Sequence, residues 1–266
     1  MSESNNLFTL TDKCILITGA TGYLGTSMVR GLCEAGATVL VNGRSLAQVD
    51  ELVKKLLNDG LSAQSAVFDI TDSKAVEKYF DAYGNEPLHG LINNAYSGVS
   101  GAVETSNGDS YRASYEVTMI ASHTVLNAAL PALRRSVELT GEASVVNVAS
   151  MYGVVSPDQR IYADKKNANP PFYGAAKAAL IQWTKYAACE FGREGIRINA
   201  ISPGPFPSLK VQQDASDFVS ILASKVPMER IGLANELKGP VVFLMSGAAS
   251  YVNGANVVVD GGWTCW

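Results

Sequence analysis

Short apolar runs punctuate this chain and are separated by longer stretches in which apolar residues recur at helical spacing. The runs are KCILIT (Lys13 to Thr18), TVLV (Thr38 to Val41), SAVF (Ser65 to Phe68), GLIN (Gly90 to Asn93), ASVVNVA (Ala143 to Ala149), IRINAI (Ile196 to Ile201) and NVVVD (Asn256 to Asp260). They are rich in β-branched residues and mostly do not alternate with polar ones, the pattern of strands covered on both faces of a parallel sheet. Asp72 to Tyr83, Tyr111 to Ser136 and Tyr173 to Phe191 read as helices between them. About seven strands alternating with helices predict an α/β fold, a doubly wound Rossmann-type parallel sheet. Ser97 to Gly108, Ser156 to Pro171 and Ser202 to Ser208 read as loops. Each follows a strand on its carboxyl side, where open α/β sheets bind ligands. No repeat or linker divides the chain, so residues 1–266 are expected to form a single domain.

Composition narrows the function. With 47% hydrophobic and 17% charged residues, the chain can bury a full core. A net charge of -4 argues against a nucleic-acid partner. No apolar run is long enough to span a bilayer. The start, MSESNNLFTLTDK, lacks a basic and apolar leader. Cys14, Cys33, Cys189 and Cys265 are scattered, and His89 and His123 stand apart, so no metal site is expected. The cysteines read as buried thiols in a reducing cytoplasm.

The chemistry begins directly after the first run. TGATGYLG, Thr18 to Gly25, leads from a strand into a helix. Gly19 permits the tight turn, Gly22 admits a pyrophosphate to the backbone, and Gly25 allows close helix–strand packing. The following helix start presents free N–H groups and a positive dipole end. After the second run come Asn42, Gly43, Arg44 and Ser45, with no acidic residue to take ribose hydroxyls. Arg44 suits a 2′-phosphate instead, which favours NADP(H) over NAD(H). Further on, Tyr173 and Lys177 form an i, i+4 pair on one face of the last long helix. The ammonium is expected to stabilise phenolate and draw Tyr173 below its ordinary pKa of ~10, toward acid/base duty.

With NNAY at Asn93 to Tyr96, Ser150 closing VNVAS, Pro203-Gly204 and VDGGW at Val259 to Trp263, these motifs make the chain resemble the short-chain dehydrogenase/reductase family over nearly its whole length. The resemblance implies that Tyr173 donates or accepts the proton at a carbonyl or alcohol oxygen. Ser150 would hold that oxygen, and Lys177 would hold the nicotinamide ribose and tune Tyr173. Thr18, Gly19, Gly22, Tyr23, Leu24 and Gly25 would contact the cofactor phosphates. Asn42, Arg44 and Ser45 would meet the adenosine end, with Asp69 and Ile70 flanking the adenine. Asn93 and Ala95 would line the cofactor path, and Pro203 and Gly204 would lie beside the nicotinamide. The family also implies a homotetramer, in which an apolar tip of Trp263, Cys265 and Trp266 would be covered by a neighbour.

Three positions depart from the family pattern. Tyr23 stands at a usual glycine, Tyr96 replaces the last glycine of NNAG, and Thr118 stands where a catalytic asparagine is usual. Thr118 keeps a hydroxyl for the proton relay but lacks the amide. The chain between Ser150 and Tyr173 is also longer than is usual in the family. It brings Arg160, Tyr162, Lys165 and Lys166 toward the substrate mouth, or toward a subunit contact. Pro205 to Ser224 would form a flap, with Phe206, Leu209 and Phe218 excluding water. These features resemble sugar- and sugar-acid-acting members of the family, the gluconate 5-dehydrogenase-like ones among them. The alternatives are a 3-oxoacyl carrier-protein or general ketone reductase and, in another class, a non-catalytic dinucleotide-binding subunit.

Overall fold

A computed structural model describes residues 7–266; residues 1–6, part of the stretch read above for a leader, lie outside the described residues. The strands are β1 (Cys14–Ile17), β2 (Thr38–Gly43), β3 (Ala63–Val67), β4 (Gly90–Asn93), β5 (Ala143–Val148), β6 (Ile196–Pro203) and β7 (Asn256–Val259). They form one seven-stranded sheet in the order β3-β2-β1-β4-β5-β6-β7. Every pairing is parallel.

Alternate residues along each strand feed two cores. Ile15 and Ile17 of β1, Val39 and Val41 of β2, and Val146 of β5 enter one apolar cluster. There they meet α1 (Tyr23–Glu34), α2 (Leu46–Asn58) and α9 (Lys238–Met245). Leu16, Leu40 and Val145 enter the other cluster, against α3 (Ser73–Tyr83), α5 (Ala121–Thr140) and α6 (Pro171–Phe191). Burial on both faces is the reason the strands read as continuous apolar runs.

Most predicted elements hold, with shifted edges. β3 begins two residues before the predicted run and ends one short of it. It is an edge strand with exposed Gln64 and Ser65, so its apolar signal is concentrated at its end. The predicted helix from Tyr111 to Ser136 is a longer helical stretch with an interruption. α4 (Gly108–Tyr115) passes into a π-helical turn, Glu116–Ile120, before α5. The expected flap contains α7 (Leu209–Asp214) and α8 (Ser216–Ser224). The long chain before α6 folds into short 3₁₀ turns at Gln159–Ile161 and Lys165–Asn167.

A third, smaller apolar cluster joins that insertion to the flap. Tyr152, Ile161, Leu222, Val226 and Trp263 are buried together, with Tyr162, Phe218 and Tyr173 packed against them. Trp263 is therefore covered by its own chain, which corrects the expected apolar tip; Cys265 and Trp266 are the exposed part of it. Among the described residues no helix is long and apolar enough to cross a membrane.

Candidate active site

The sheet order reverses direction between β1 and β4, and the crevice at their carboxyl ends is the switch point at which such folds bind ligands. The Gly19 loop enters this crevice with φ of +61°, and a Cβ there would lie 2.7 Å from the Ala95 Cα. Thr18 sews the two sides together. Its Oγ1 accepts from the backbone N–H groups of Asn94 (3.0 Å) and Ala95 (3.2 Å). The Asn94 amide donates in turn to the carbonyls of Thr18 and Gly19, both at 3.0 Å. Removing the Thr18 hydroxyl would strand amides in a partly buried site, at a cost of ~1–3 kcal/mol.

α1 starts at Tyr23 with Gly22 as its N-cap, and no side chain caps the first-turn amides. Gly19, Gly22, Leu24 and Gly25 thus frame a helix terminus suited to phosphate. Tyr23, the unusual residue here, accepts a 3.3 Å hydrogen bond on its hydroxyl from Gln212 Nε2 of α7, which links the phosphate loop to the flap.

The adenosine end divides the expected residues. Arg44 is strongly exposed, and its guanidinium reaches Asp69 only loosely, at 4.0 Å. Asp69 also accepts from the Thr71 N–H and hydroxyl at 2.9 and 2.8 Å, and Ile70 is buried beside it. Ser45 caps α2, its hydroxyl accepting from Gln48 N–H. Asn42 is a different case from the expectation. Its amide is buried and donates to the carbonyls of Ala66 and Phe68, so it fastens β2 to β3 rather than offering the amide to a ligand.

The reacting end is built from β5 and α6. Ser150, just past β5, is buried and caps the turn Met151–Gly153, accepting from Tyr152 N–H at 3.1 Å. Gly153 lets this turn press on α6, where a Cβ would lie 2.9 Å from the Ala178 backbone nitrogen. That contact brings Ser150 to Tyr173, and the Ser150 hydroxyl favours the ionised phenol. A buried chain of amides fixes α6 from below. Asn93 Nδ2 donates to Asn147 Oδ1 at 2.9 Å, and Asn147 Nδ2 donates to Thr184 Oγ1 at 2.9 Å.

Lys177 is 3% exposed, and its ammonium donates to the Val148 carbonyl at 2.6 Å. Burial lowers its pKa to about 7. The expected depression of Tyr173 is not what the site produces: desolvation raises the phenol above its ordinary value, Ser150 opposes this, and Tyr96 adds to it. The reason is geometric. The ammonium is aimed at Val148 and lies 5.7 Å from the Tyr173 ring centroid, so it is engaged elsewhere.

Thr118 is buried in the π-helical turn, and its hydroxyl has no hydrogen-bond partner. Among the described residues, five buried side-chain polar atoms lack a partner, and three of them belong to Asn93, Tyr96 and Thr118 at this crevice. Polar atoms of this kind call for a ligand or water. Together with the uncapped start of α1 they fit a bound dinucleotide.

On the mouth side, Arg160 does not reach out for substrate as expected. Asp158 holds it in a two-pronged ion pair at 2.8 and 2.9 Å, and also takes Lys225, the residue just past the flap, at 3.1 Å. Those contacts hold the Asp158 carboxyl well below its usual range. Tyr152 and Tyr162 place their hydroxyls 3.4 Å apart, and desolvation pushes Tyr152 up. Asn94, Asn147 and Tyr152 were not among the expected residues. The doubled asparagine of NNAY was the one visible signal for Asn94. Pro203 ends β6, and Gly204 N–H donates to Val259 at 2.9 Å, which sets that turn at the end of β7.

The family described as enoyl-(acyl carrier protein) reductase matches residues 19–264. Gluconate 5-dehydrogenase of Gluconobacter oxydans (strain 621H) is 32% identical over 263 residues, covering 97% of each chain. A 3-oxoacyl-(acyl-carrier-protein) reductase of rhamnolipids biosynthesis from Pseudomonas aeruginosa is 28% identical over 259 residues, covering 96% of this chain and 97% of that one. The crystal structure of a gluconate 5-dehydrogenase from Burkholderia cenocepacia, in complex with NADP and tartrate, superposes with a TM-score of 0.87 at 26% identity. That match covers 99% of this chain and 100% of the other.

Proposed function

The chain belongs to the short-chain dehydrogenase/reductase family, and from that premise we propose an NADP(H)-dependent oxidoreductase that interconverts a carbonyl and a secondary alcohol on a sugar- or sugar-acid-like substrate. The observation that carries this reading is the meeting of Ser150, Tyr173 and Lys177 beside the β1–β4 crevice. When bound, the nicotinamide supplies hydride transfer. Ser150 holds the substrate oxygen, and its hydroxyl offsets the charge that grows there. Tyr173 gives that oxygen a proton in reduction and removes it in oxidation. Lys177 would hold the cofactor ribose, and its charge beside Tyr173 would favour the phenolate. Thr118 offers its unpaired hydroxyl to a water on the proton path.

Arg44 supports the NADP(H) preference, being exposed and only loosely paired. The hydroxyls of Tyr152 and Tyr162 near Tyr173 support a hydroxyl-rich substrate. The gluconate 5-dehydrogenases among its relatives support the same class. A second reading, reduction of a carrier-bound 3-oxoacyl group, is favoured by exposed Lys165 and Lys166 at the mouth and by the Pseudomonas relative. An exposed apolar groove of about 530 Å³ along α4 and α6, lined by Tyr111, Tyr115, Ile120 and Phe172, supports the homotetramer. The four cysteines of the chain are unpaired, which suits a reducing cytoplasm, although Cys189 and Cys265 are exposed rather than buried as expected.

A panel of aldonic acids, polyols and their keto forms, run beside acetoacetyl thioesters with NADP⁺ or NADPH, tests the substrate class. Turnover confined to sugar acids or polyols is expected. Turnover confined to thioesters would move the carrier-protein reading to the front. No turnover of any carbonyl or alcohol despite tight dinucleotide binding would favour the non-catalytic subunit.

A further inference from the structure

Tyr96 stands where the family pattern has glycine, and it fills the space against the two residues on which the proposed chemistry depends. Its ring meets the Tyr173 ring edge-on, with centroids 4.8 Å apart and planes at 67°. The Lys177 ammonium lies 5.4 Å from the Tyr96 centroid and 5.7 Å from the Tyr173 centroid. One oxygen, that of Val148, takes a hydrogen bond from this ammonium. The ammonium thus meets one carbonyl oxygen and two aromatic rings.

The other end of Tyr96 is strained for partners. Its hydroxyl is buried without a hydrogen-bond partner; the Ser114 hydroxyl beside it donates to the Phe172 carbonyl at 3.2 Å. The hydroxyl rests on Gly98, where any Cβ would collide with it. Gly101 N–H donates to the Ala168 carbonyl at 3.0 Å, which ties the same loop to the insertion over the mouth. Ring packing therefore favours this arrangement, and the orphaned hydroxyl opposes it. An arrangement balanced in this way is one that a ligand can displace.

We propose that Tyr96 is a positioning residue that caps the Lys177–Tyr173 pair in the free protein and has to leave the ammonium before ribose hydroxyls can reach it. The inference rests on the dinucleotide reading above and adds a conformational gate to it. The gate sets affinity. If the capped form holds about nine-tenths of the population, apparent binding is weakened about tenfold relative to an open site.

Two readouts test the cap, one of them independent of the cofactor. NADPH binding to wild type, Tyr96→Gly, Tyr96→Phe and Gly98→Ala is followed by stopped-flow fluorescence. Acylation of Lys177 by an amine-selective succinimidyl ester is followed in the same cofactor-free proteins by peptide mass spectrometry. Tyr96→Gly is expected to bind NADPH about tenfold tighter, mainly through faster association, and to acylate Lys177 faster by a similar factor. Gly98→Ala, which dislodges the hydroxyl but keeps the ring, should move both readouts in the same direction. Tyr96→Phe, which keeps the ring and drops the unpaired hydroxyl, should bind no tighter than wild type. Lys177 acylation and NADPH association at wild-type rates in both Tyr96→Gly and Gly98→Ala would overturn the cap. Faster acylation without NADPH binding by any form would uphold the cap and sink the cofactor reading instead.

Discussion

The cofactor crevice and the substrate mouth lie at the same end of the sheet, yet different forces hold them. At the crevice, backbone amides, the Thr18 hydroxyl, the Asn94 side chain and a positive-φ glycine fix two loops between paired central strands. The groups that fix the loops there have partners set by the fold itself, while the Asn93 Oδ1 and the hydroxyls of Tyr96 and Thr118 are left unpaired. At the mouth, the insertion meets the flap and its end through one ion pair, Asp158 to Lys225, through the Tyr162–Phe218 ring contact, with centroids 5.7 Å apart, and through the small apolar cluster around Ile161, Leu222 and Trp263. A partly exposed ion pair contributes little to stability, and this cluster is far smaller than the two cores that flank the sheet at the crevice. The contrast teaches where change is tolerated. The crevice can be altered only at the expense of the sheet, whereas the mouth can exchange side chains and so alter its substrate without disturbing the fold.

The sharpest way to separate the two regions is to remove the proposed proton donor. Tyr173→Phe should lower kcat by about 10²- to 10⁴-fold. NADPH affinity, measured by nicotinamide fluorescence, should stay close to wild type. An unchanged kcat on a confirmed substrate would remove Tyr173 from the chemistry.

Next in size is a pH effect confined to the crevice side. Burial lowers Lys177 from 10.5 to about 7, so between these values the unfolded chain carries a proton that the folded one lacks. Stability of the cofactor-free protein should therefore rise as pH is raised from 7 to 9, by at most about 1.4 kcal/mol per pH unit from this residue. Lys177→Met should flatten that slope in denaturant titrations. An equal slope in the variant would mean that Lys177 keeps its charge without penalty.

At the adenosine end, Arg44→Ala should weaken NADPH binding by about tenfold or more and leave NADH binding unaltered, as expected for loss of a charge-assisted contact. Equal loss for both dinucleotides would place Arg44 elsewhere than on a 2′-phosphate. The smallest effect belongs to the mouth. Phe218→Ala should raise KM by about threefold while thermal stability moves little. A large drop in Tm would show the mouth to be as firmly built as the crevice and would dissolve the contrast.

What could be read from the sequence divides along the same line. ILI, VLV and VVNV announced their strands because burial on both faces leaves an unmixed apolar signature. Thr18 to Gly25 announced the crevice because its glycines answer backbone demands that other residues meet poorly. Side-chain partnerships were less legible. Asn42 read as a cofactor contact but fastens β3, and Arg160 read as a substrate donor but is taken by Asp158 two residues before it. That second pairing was present in PDQR and open to recognition. The direction of the Tyr173 shift was beyond sequence, since helical spacing gives proximity to Lys177 but not solvation or where the ammonium points. Nor does periodicity reveal the π-helical turn at Thr118, where the hydrogen-bond register slips within an otherwise continuous helical pattern.

The account stands most directly on the crevice as an NADP(H) site. Titration of the purified protein with NADPH and with NADH, read by energy transfer from protein fluorescence to the nicotinamide, tests it in one experiment. The account predicts saturable binding of NADPH at least about tenfold tighter than that of NADH, the gain expected from one charge-assisted phosphate contact. Tighter NADH binding would contradict the role of Arg44, and no binding of either dinucleotide would contradict the assignment of the crevice itself.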